Sequence, residues 1–414
     1  MIRSPALKQA AHVLVSRLVP GALNVVALLA LAAYLSRQSY GLASTFIATS
    51  TAGADVLFGP IYHSVLVHYS EHRARGEDKR FESVHLSNTL LLTATVSAAG
   101  AILAAIGLVD WRIVAAMAAV GSYTSIQEIS HARLQFYRFA IGSSSQSTAF
   151  LLLAYLMVRT GPTVEAAVEA FAMSYAIGAI VSAVLVRPRL APPSLPMLKS
   201  AFSLGTMPTL SNLVLTAFGL GCRYVMLFFG RGDALGIFSF SLDIAQRGVG
   251  IFINLATFAI VPHALKSSEG GNARELWRRL AKGWSVAVGV SLAGAAAIIL
   301  LGLTHLFPPL NRPVYDPVSF GLICIAVIVS RSSKMLLSPV AMRIRRTRLL
   351  LTPMLVVAPS VLAMIFLGLI FHVPYTVEVG FMLAFLLSSW LGYWRIMRHL
   401  DDPQPPATAR AASH

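Results

Sequence analysis

Asp243 and Arg247 stand four residues apart inside a long apolar run. On a helix they share a face with Ser239, Gln246, Gly250 and Asn254, because the intervals are three and four. A charge at the centre of a bilayer costs about 2.5–3.5 kcal/mol even on lenient scales. The stripe must therefore meet a partner or water. An intrahelical salt bridge suits the i, i+4 spacing, but it leaves two charges in hydrocarbon unless their face is wet, and a cavity wall is the favoured reading. Similar faces recur. Thr124, Gln127, Glu128, His131 and Gln135 form one, where Glu128 and His131 could pass protons or mark a polar helix end. Thr209, Asn212, Thr216 and Arg223 form another, with Arg223 close enough to a span end to snorkel. Arg17, with Ser16 and Asn24, reads as a snorkelling residue by the same argument. Ser44, Thr51 and Asp55 share a side, and Arg331 lies deeper than Lys334, which reads as interfacial. These faces hold more arginine than acid. A cationic, water-lined cavity suits an anionic substrate, because a guanidinium grips phosphate with a bidentate fork; it suits an organic cation poorly.

The elements that must carry these residues are membrane helices. Of 414 residues, 56% are hydrophobic and 12% charged, against about 25% charged in soluble domains. Apolar runs near the length that crosses about 30 Å of hydrocarbon recur throughout. Spans are expected near 11–35, 40–67, 86–108, 113–135, 140–158, 166–186, 201–229, 234–265, 283–306, 317–339, 349–371 and 377–397; the fifth is diluted by Ser143, Ser144, Ser145, Gln146 and Ser147. The basic N-terminus precedes no short cleavable core, so the first run is a retained span. Cys222 and Cys324 fall inside spans and read as buried thiols, not a disulfide. The net charge of +16 sits in short loops, which points to a membrane surface and away from nucleic acid. Loops on the side of both termini hold most of it, including Arg73, Arg75, Lys79, Arg80, Arg274 and Arg278. The other side holds Arg37, Arg112, Arg159, Arg231 and Arg312. Positive loops stay cytoplasmic, so both termini are expected inside.

The chain also looks doubled. Tyr40-Gly41 and Leu235-Gly236 open matching spans at an offset of 195, and each span runs into a basic loop. The expected fold is all-α: about twelve spans in two six-helix lobes around a central cavity, related as parallel repeats. The lobes would be 1–190 and 201–397, joined by a Pro-rich cytoplasmic linker at 191–200 and followed by a short tail at 398–414. No P-loop, HExxH or GxSxG occurs, and no outward loop is long enough for a catalytic site. The chain therefore reads as a transporter, not an enzyme, without a cofactor.

The pattern resembles the multidrug/oligosaccharidyl-lipid/polysaccharide exporter superfamily, above all its O-antigen and exopolysaccharide flippase branch. In the first half the resemblance rests on Tyr34-Leu35-Ser36-Arg37-Gln38-Ser39-Tyr40-Gly41 and the basic loop Arg73–Arg80. In the second it rests on Ser203-Leu204-Gly205-Thr206-Met207-Pro208, Gly232-Asp233-Ala234-Leu235-Gly236 and Val261-Pro262-His263. The resemblance implies an alternating-access secondary transporter in the bacterial inner membrane. Its substrate would be an oligosaccharide carried on undecaprenyl diphosphate, moved for surface polysaccharide synthesis. Cavity cations would hold the diphosphate, the candidates being Arg17, Arg223, Arg247 and Arg331. Coupling to H+ or Na+ would fall to Asp55, Glu128, His131 and Asp243. Membrane lipids and other polysaccharide-assembly proteins would be its partners. The lipid II flippases have two further C-terminal helices, which this sequence lacks after its twelfth span. The alternatives are a multidrug or cation exporter of the same fold, for which Asp55 is a thin match, and a membrane-embedded glycan-assembly enzyme.

Overall fold

A computed structural model of the protein describes residues 5–187, 189–267, 273–304, 314–344 and 348–400. The helices are α1 (Pro5–Tyr34), α2 (Arg37–Ala74), α3 (Asp78–Ala105), α4 (Trp111–Ala132), α5 (Phe136–Thr160), α6 (Val164–Val186), α7 (Leu195–Phe228), α8 (Gly232–Ile244), α9 (Gly250–Ser267), α10 (Ala273–Leu303), α11 (Pro317–Arg343), α12 (Arg348–Ile370) and α13 (Thr376–Met397). A π turn, Ala245–Val249, joins α8 to α9 without a break, so the two make one rod. Nine of the described rods are long and apolar enough to cross a membrane. The starts follow from sequence. Ser36, Asp110, Thr163 and Ser194 each accept a hydrogen bond from a backbone N–H of the first turn of α2, α4, α6 and α7, satisfying donors that a helix cannot satisfy itself.

Packing is the inverse of a soluble protein. In α6 the residues Ala170, Ser174, Gly178 and Ser182 face inward, while Ile180 and Val184 are exposed. Small residues at spacing four let helices approach closely, and the apolar outer faces match lipid. The serine-rich start of α5 forms regular helix because its polar groups find partners. Ser143 donates to the Phe139 carbonyl, Gln146 to Ser174 Oγ, and Ser147 accepts from Asn24. Cys222 and Cys324 are buried and unbonded to each other.

Two six-helix lobes surround a central cavity. In the first, α1 packs on α5, α5 on α6 and α4 on α6; in the second, α10 packs on α11, and α13 on both α11 and α12. Helix α7 begins at Leu195, so it takes in more than half of the segment expected as a linker. Its cap is tied back to α3 by Ser194 N–H donating to Asn88 Oδ1 at 2.9 Å. Of the expected tail, 401–414 lies outside the described residues. A buried staple, Arg133 to Glu82, fixes the end of α4 to α3, and Arg112 to Glu169 at 2.7 Å fixes its start to α6.

The lobes meet through α2, which packs on α7 and α8. The two matched glycines touch here. A Cβ on Gly41 would lie 2.8 Å from Gly236 N, and a Cβ on Gly236 would overlap the Arg37 carbonyl. Two helices that begin at the same end of the bundle are thereby sealed together at that end. Gly236→Ala is expected to pry this contact apart. With Cys222 and Cys324 replaced by alanine, a cysteine at Ala48 should then react several-fold faster with a membrane-impermeant maleimide applied from that side. Unchanged labelling would mean the contact seals nothing.

Candidate functional site

Just below the glycine contact, three elements converge on Asp243. Its carboxylate accepts from Ser44 Oγ at 2.5 Å, from Tyr40 Oη at 3.2 Å and from Arg223 Nη2 at 2.9 Å. Arg223 also donates from Nη1 to the Ser44 carbonyl at 3.0 Å and is only 3% exposed. One expectation gives way here, and one alternative falls. Arg223 does not snorkel at the interface; it is buried because Asp243 neutralises it. Nor does Asp243 bridge to Arg247, because the π turn between them widens the helix and breaks the i, i+4 geometry. Arg247 is half-buried on the π turn, and among the described residues no carboxylate lies within ion-pair distance of it.

Beneath this network lies a cavity of about 690 Å³. It runs from Ser44, Arg223 and Asp243 to Val261 and Pro339, that is, away from the sealed end. Its charged lining is Asp55, Arg223, Asp243, Arg247, Arg331 and Lys334. Four cations thus face two carboxylates, and one cation is consumed by Asp243. Arg331 reaches the same wall as Arg247 because Gly250 has no side chain; a Cβ there would stand 2.8 Å from Arg331 Nε. Asp55, on α2, accepts from Tyr62 Oη at 2.6 Å. Lys334 is not interfacial, as its position near a span end suggested; it is exposed into the cavity, within electrostatic reach of Asp55.

The expected residues therefore divide. Arg223, Arg247, Arg331, Asp55 and Asp243 come together. Arg17, Glu128 and His131 do not line the cavity. Arg17 lies over the Phe139 ring, 4.4 Å from its centroid, and Glu128 pairs with His131 at 2.9 Å on α4. Both groups belong to the first lobe, where Glu128 is within electrostatic reach of Arg17 and His63. Tyr40 and Tyr62 were not anticipated. Tyr62 could have been found from its position seven residues, two turns, beyond Asp55; nothing local pointed Tyr40 at Asp243.

No protein-family model and no curated protein matches this chain. Solved structures do. One is an inward-facing multidrug resistance MATE family transporter of the MOP superfamily, with 14% identity, 97% of this chain and 100% of that chain covered, and a TM-score of 0.71. The outward-facing structure described in the same words gives 15% identity, 95% of each chain and a TM-score of 0.58. A MATE in the straight conformation gives 14%, 95% of each and 0.58. The likeness is one of fold.

The Arg223–Asp243 pair makes a sharp prediction. Removing one member of a buried pair leaves an uncompensated charge, at about 3–5 kcal/mol. Asp243→Asn and Arg223→Gln should each lower the thermal midpoint in detergent, and the double variant should fall no further than the worse single one. Additive losses would show that the two side chains do not depend on each other.

Proposed function

We propose that this protein is a secondary transporter of the MOP superfamily that flips an oligosaccharide linked to undecaprenyl diphosphate across the inner membrane for surface polysaccharide synthesis. The observation that carries this reading is the excess of cations in the cavity: Arg247, Arg331 and Lys334 share it with Asp55, after Asp243 has been matched by Arg223. A diphosphate entering there exchanges its hydration for charge-assisted hydrogen bonds. The volume of about 690 Å³ falls in the range of about 300–1,000 Å³ typical of small-molecule sites. It suits a diphosphate and its nearest sugars, while the lipid tail stays in the bilayer.

The transport cycle follows from the geometry. With the Asp243 network intact, the α2 end is shut and the cavity is loaded from the end that holds the chain termini, which the loop charges assign to the cytoplasm. Opening the other way requires Tyr40 and Ser44 on α2 to part from Asp243 and Arg223. A gradient of H+ or Na+ drives this step, with Asp55, Asp243 and the Glu128–His131 pair as the groups that titrate or take the ion. Of the expected substrate-binding arginines, Arg247 and Arg331 keep that role, joined by Lys334. Arg223 holds the gate, and Arg17 supports the first lobe.

A second reading, export of organic cations, draws on the printed names of the structural neighbours, which are multidrug transporters, and on Asp55 in the cavity. Binding by the purified protein in detergent separates the two. Arg247→Ala and Arg331→Ala should each weaken undecaprenyl diphosphate binding about tenfold or more, since a hydrogen bond to a charged group is worth about 1.5–3 kcal/mol. Ethidium binding, if present, should be unaffected or improved. Tight ethidium binding that depends on Asp55, with no affinity for the diphosphate, would establish the exporter. In cells, deletion of the gene should leave lipid-linked intermediates on the inner leaflet and deplete surface polysaccharide.

A further inference from the structure

Many hydroxyls on these helices turn back on their own backbone. Thr45, Ser50, Ser122, Ser143 and Ser291, for example, donate to the carbonyl four residues earlier. This is the ordinary way to satisfy a hydroxyl where water is scarce. Some hydroxyls do not turn back, among them Ser125, Ser182 and Ser239, which are buried singly; one recess gathers several. A recess of about 80 Å³ opens between α7, α11, α12 and α13 and shares Ser330, Lys334, Ser338 and Phe385 with the central cavity. Five serines line it: Ser388 on α13 donates to the Phe385 carbonyl at 3.2 Å, whereas among the described residues the hydroxyls of Ser330, Ser333 and Ser338 on α11 and Ser389 on α13 form no hydrogen bond within the protein. They are half-buried. The opposite wall is aliphatic, with Leu350, Pro353 and Met354.

From this we infer that the serine-lined recess is a subsite for the sugar that adjoins the diphosphate, an inference that rests on the proposed function. A pyranose has a hydroxyl-bearing rim and an apolar C–H face. The recess offers unsatisfied hydroxyl donors and acceptors on one wall and hydrocarbon on the other. Lys334 stands where the recess meets the cavity, so an anionic group held by Lys334, Arg331 and Arg247 places the next residue of the ligand at the serines. The recess is too small for a whole hexose, given about 30 Å³ for one water; it takes one edge of the ring, with the rest in the main cavity. Unpartnered hydroxyls there cost little when the recess is wet and become specific contacts when the sugar replaces the water.

The test is a binding panel with the purified full-length protein in detergent: undecaprenyl diphosphate alone, and the same lipid bearing N-acetylglucosamine, glucose or galactose. At least one glycosylated lipid should bind the unaltered protein about tenfold more tightly than the bare one. Ser333→Ala/Ser389→Ala should erase that gain while leaving the Kd for bare undecaprenyl diphosphate within twofold and the thermal midpoint unchanged. A double variant that keeps the gain, or an unaltered protein that gains nothing from any of the sugars, overturns the subsite. A serine-dependent gain without affinity for the bare lipid would sink the diphosphate reading alone. Failure to bind any of the four lipids overturns both.

Discussion

Arg223 and Asp243 are charges that the interior of a bilayer tolerates only in each other's company. Their pairing has consequences on both sides. Because Arg223 also donates to the Ser44 carbonyl, and Ser44 and Tyr40 donate to Asp243, the pair clamps α2 of the first lobe to α7 and α8 of the second. That clamp is the ceiling of the cavity. Below it Arg247 and Arg331 have no carboxylate within ion-pair distance among the described residues, so their side of the cavity favours water or an anion. The cavity's shape and its electrical character therefore have one origin.

A steric contact holds the rim beside the clamp. Gly41 and Gly236, which open their spans at an offset of 195, touch. The starts of α2 and α8 meet there, and glycine is needed because any side chain would separate the helices. The buried network lies one to two turns further in, at Ser44 and Asp243. Sterics hold the outer rim and polar contacts hold the next layer, so rocking of the lobes has to undo both.

Periodicity made the fold legible. The spans and the polar stripes follow from apolar run length and spacings of three and four, and the arginine excess survived as the character of the cavity. What escaped detection was lateral. A stripe on one helix says that its residues face something, not which neighbour they face. Arg223 near a span end looked able to snorkel, yet α8 brings it Asp243. Lys334 looked interfacial, yet α11 turns it inward. The π turn at Ala245–Val249 was invisible because its sequence, Ala-Gln-Arg-Gly-Val, carries no breaker stronger than one glycine; it cancelled the intrahelical pair that the i, i+4 spacing allowed. Expected helix ends moved for a local reason, as when Ser194 capped α7 ahead of its apolar core.

The division of the charged residues bears on coupling. Among the described residues, every first-lobe side chain lining the cavity comes from α2, whereas Glu128 and His131 are on α4 and Arg17 on α1. An ion taken up at Glu128–His131 can therefore reach the first-lobe wall of the cavity through α2. That helix is suited to the task. It packs on α4, its His63 lies within electrostatic reach of Glu128, and its Tyr62, beside His63, holds Asp55 in the cavity. The same helix carries Ser44 and Tyr40 to the clamp. A displacement of α2 along or about its axis would alter Asp55, the clamp and the glycine contact together, which makes it a rigid element through which a charge change in the first lobe could open the second.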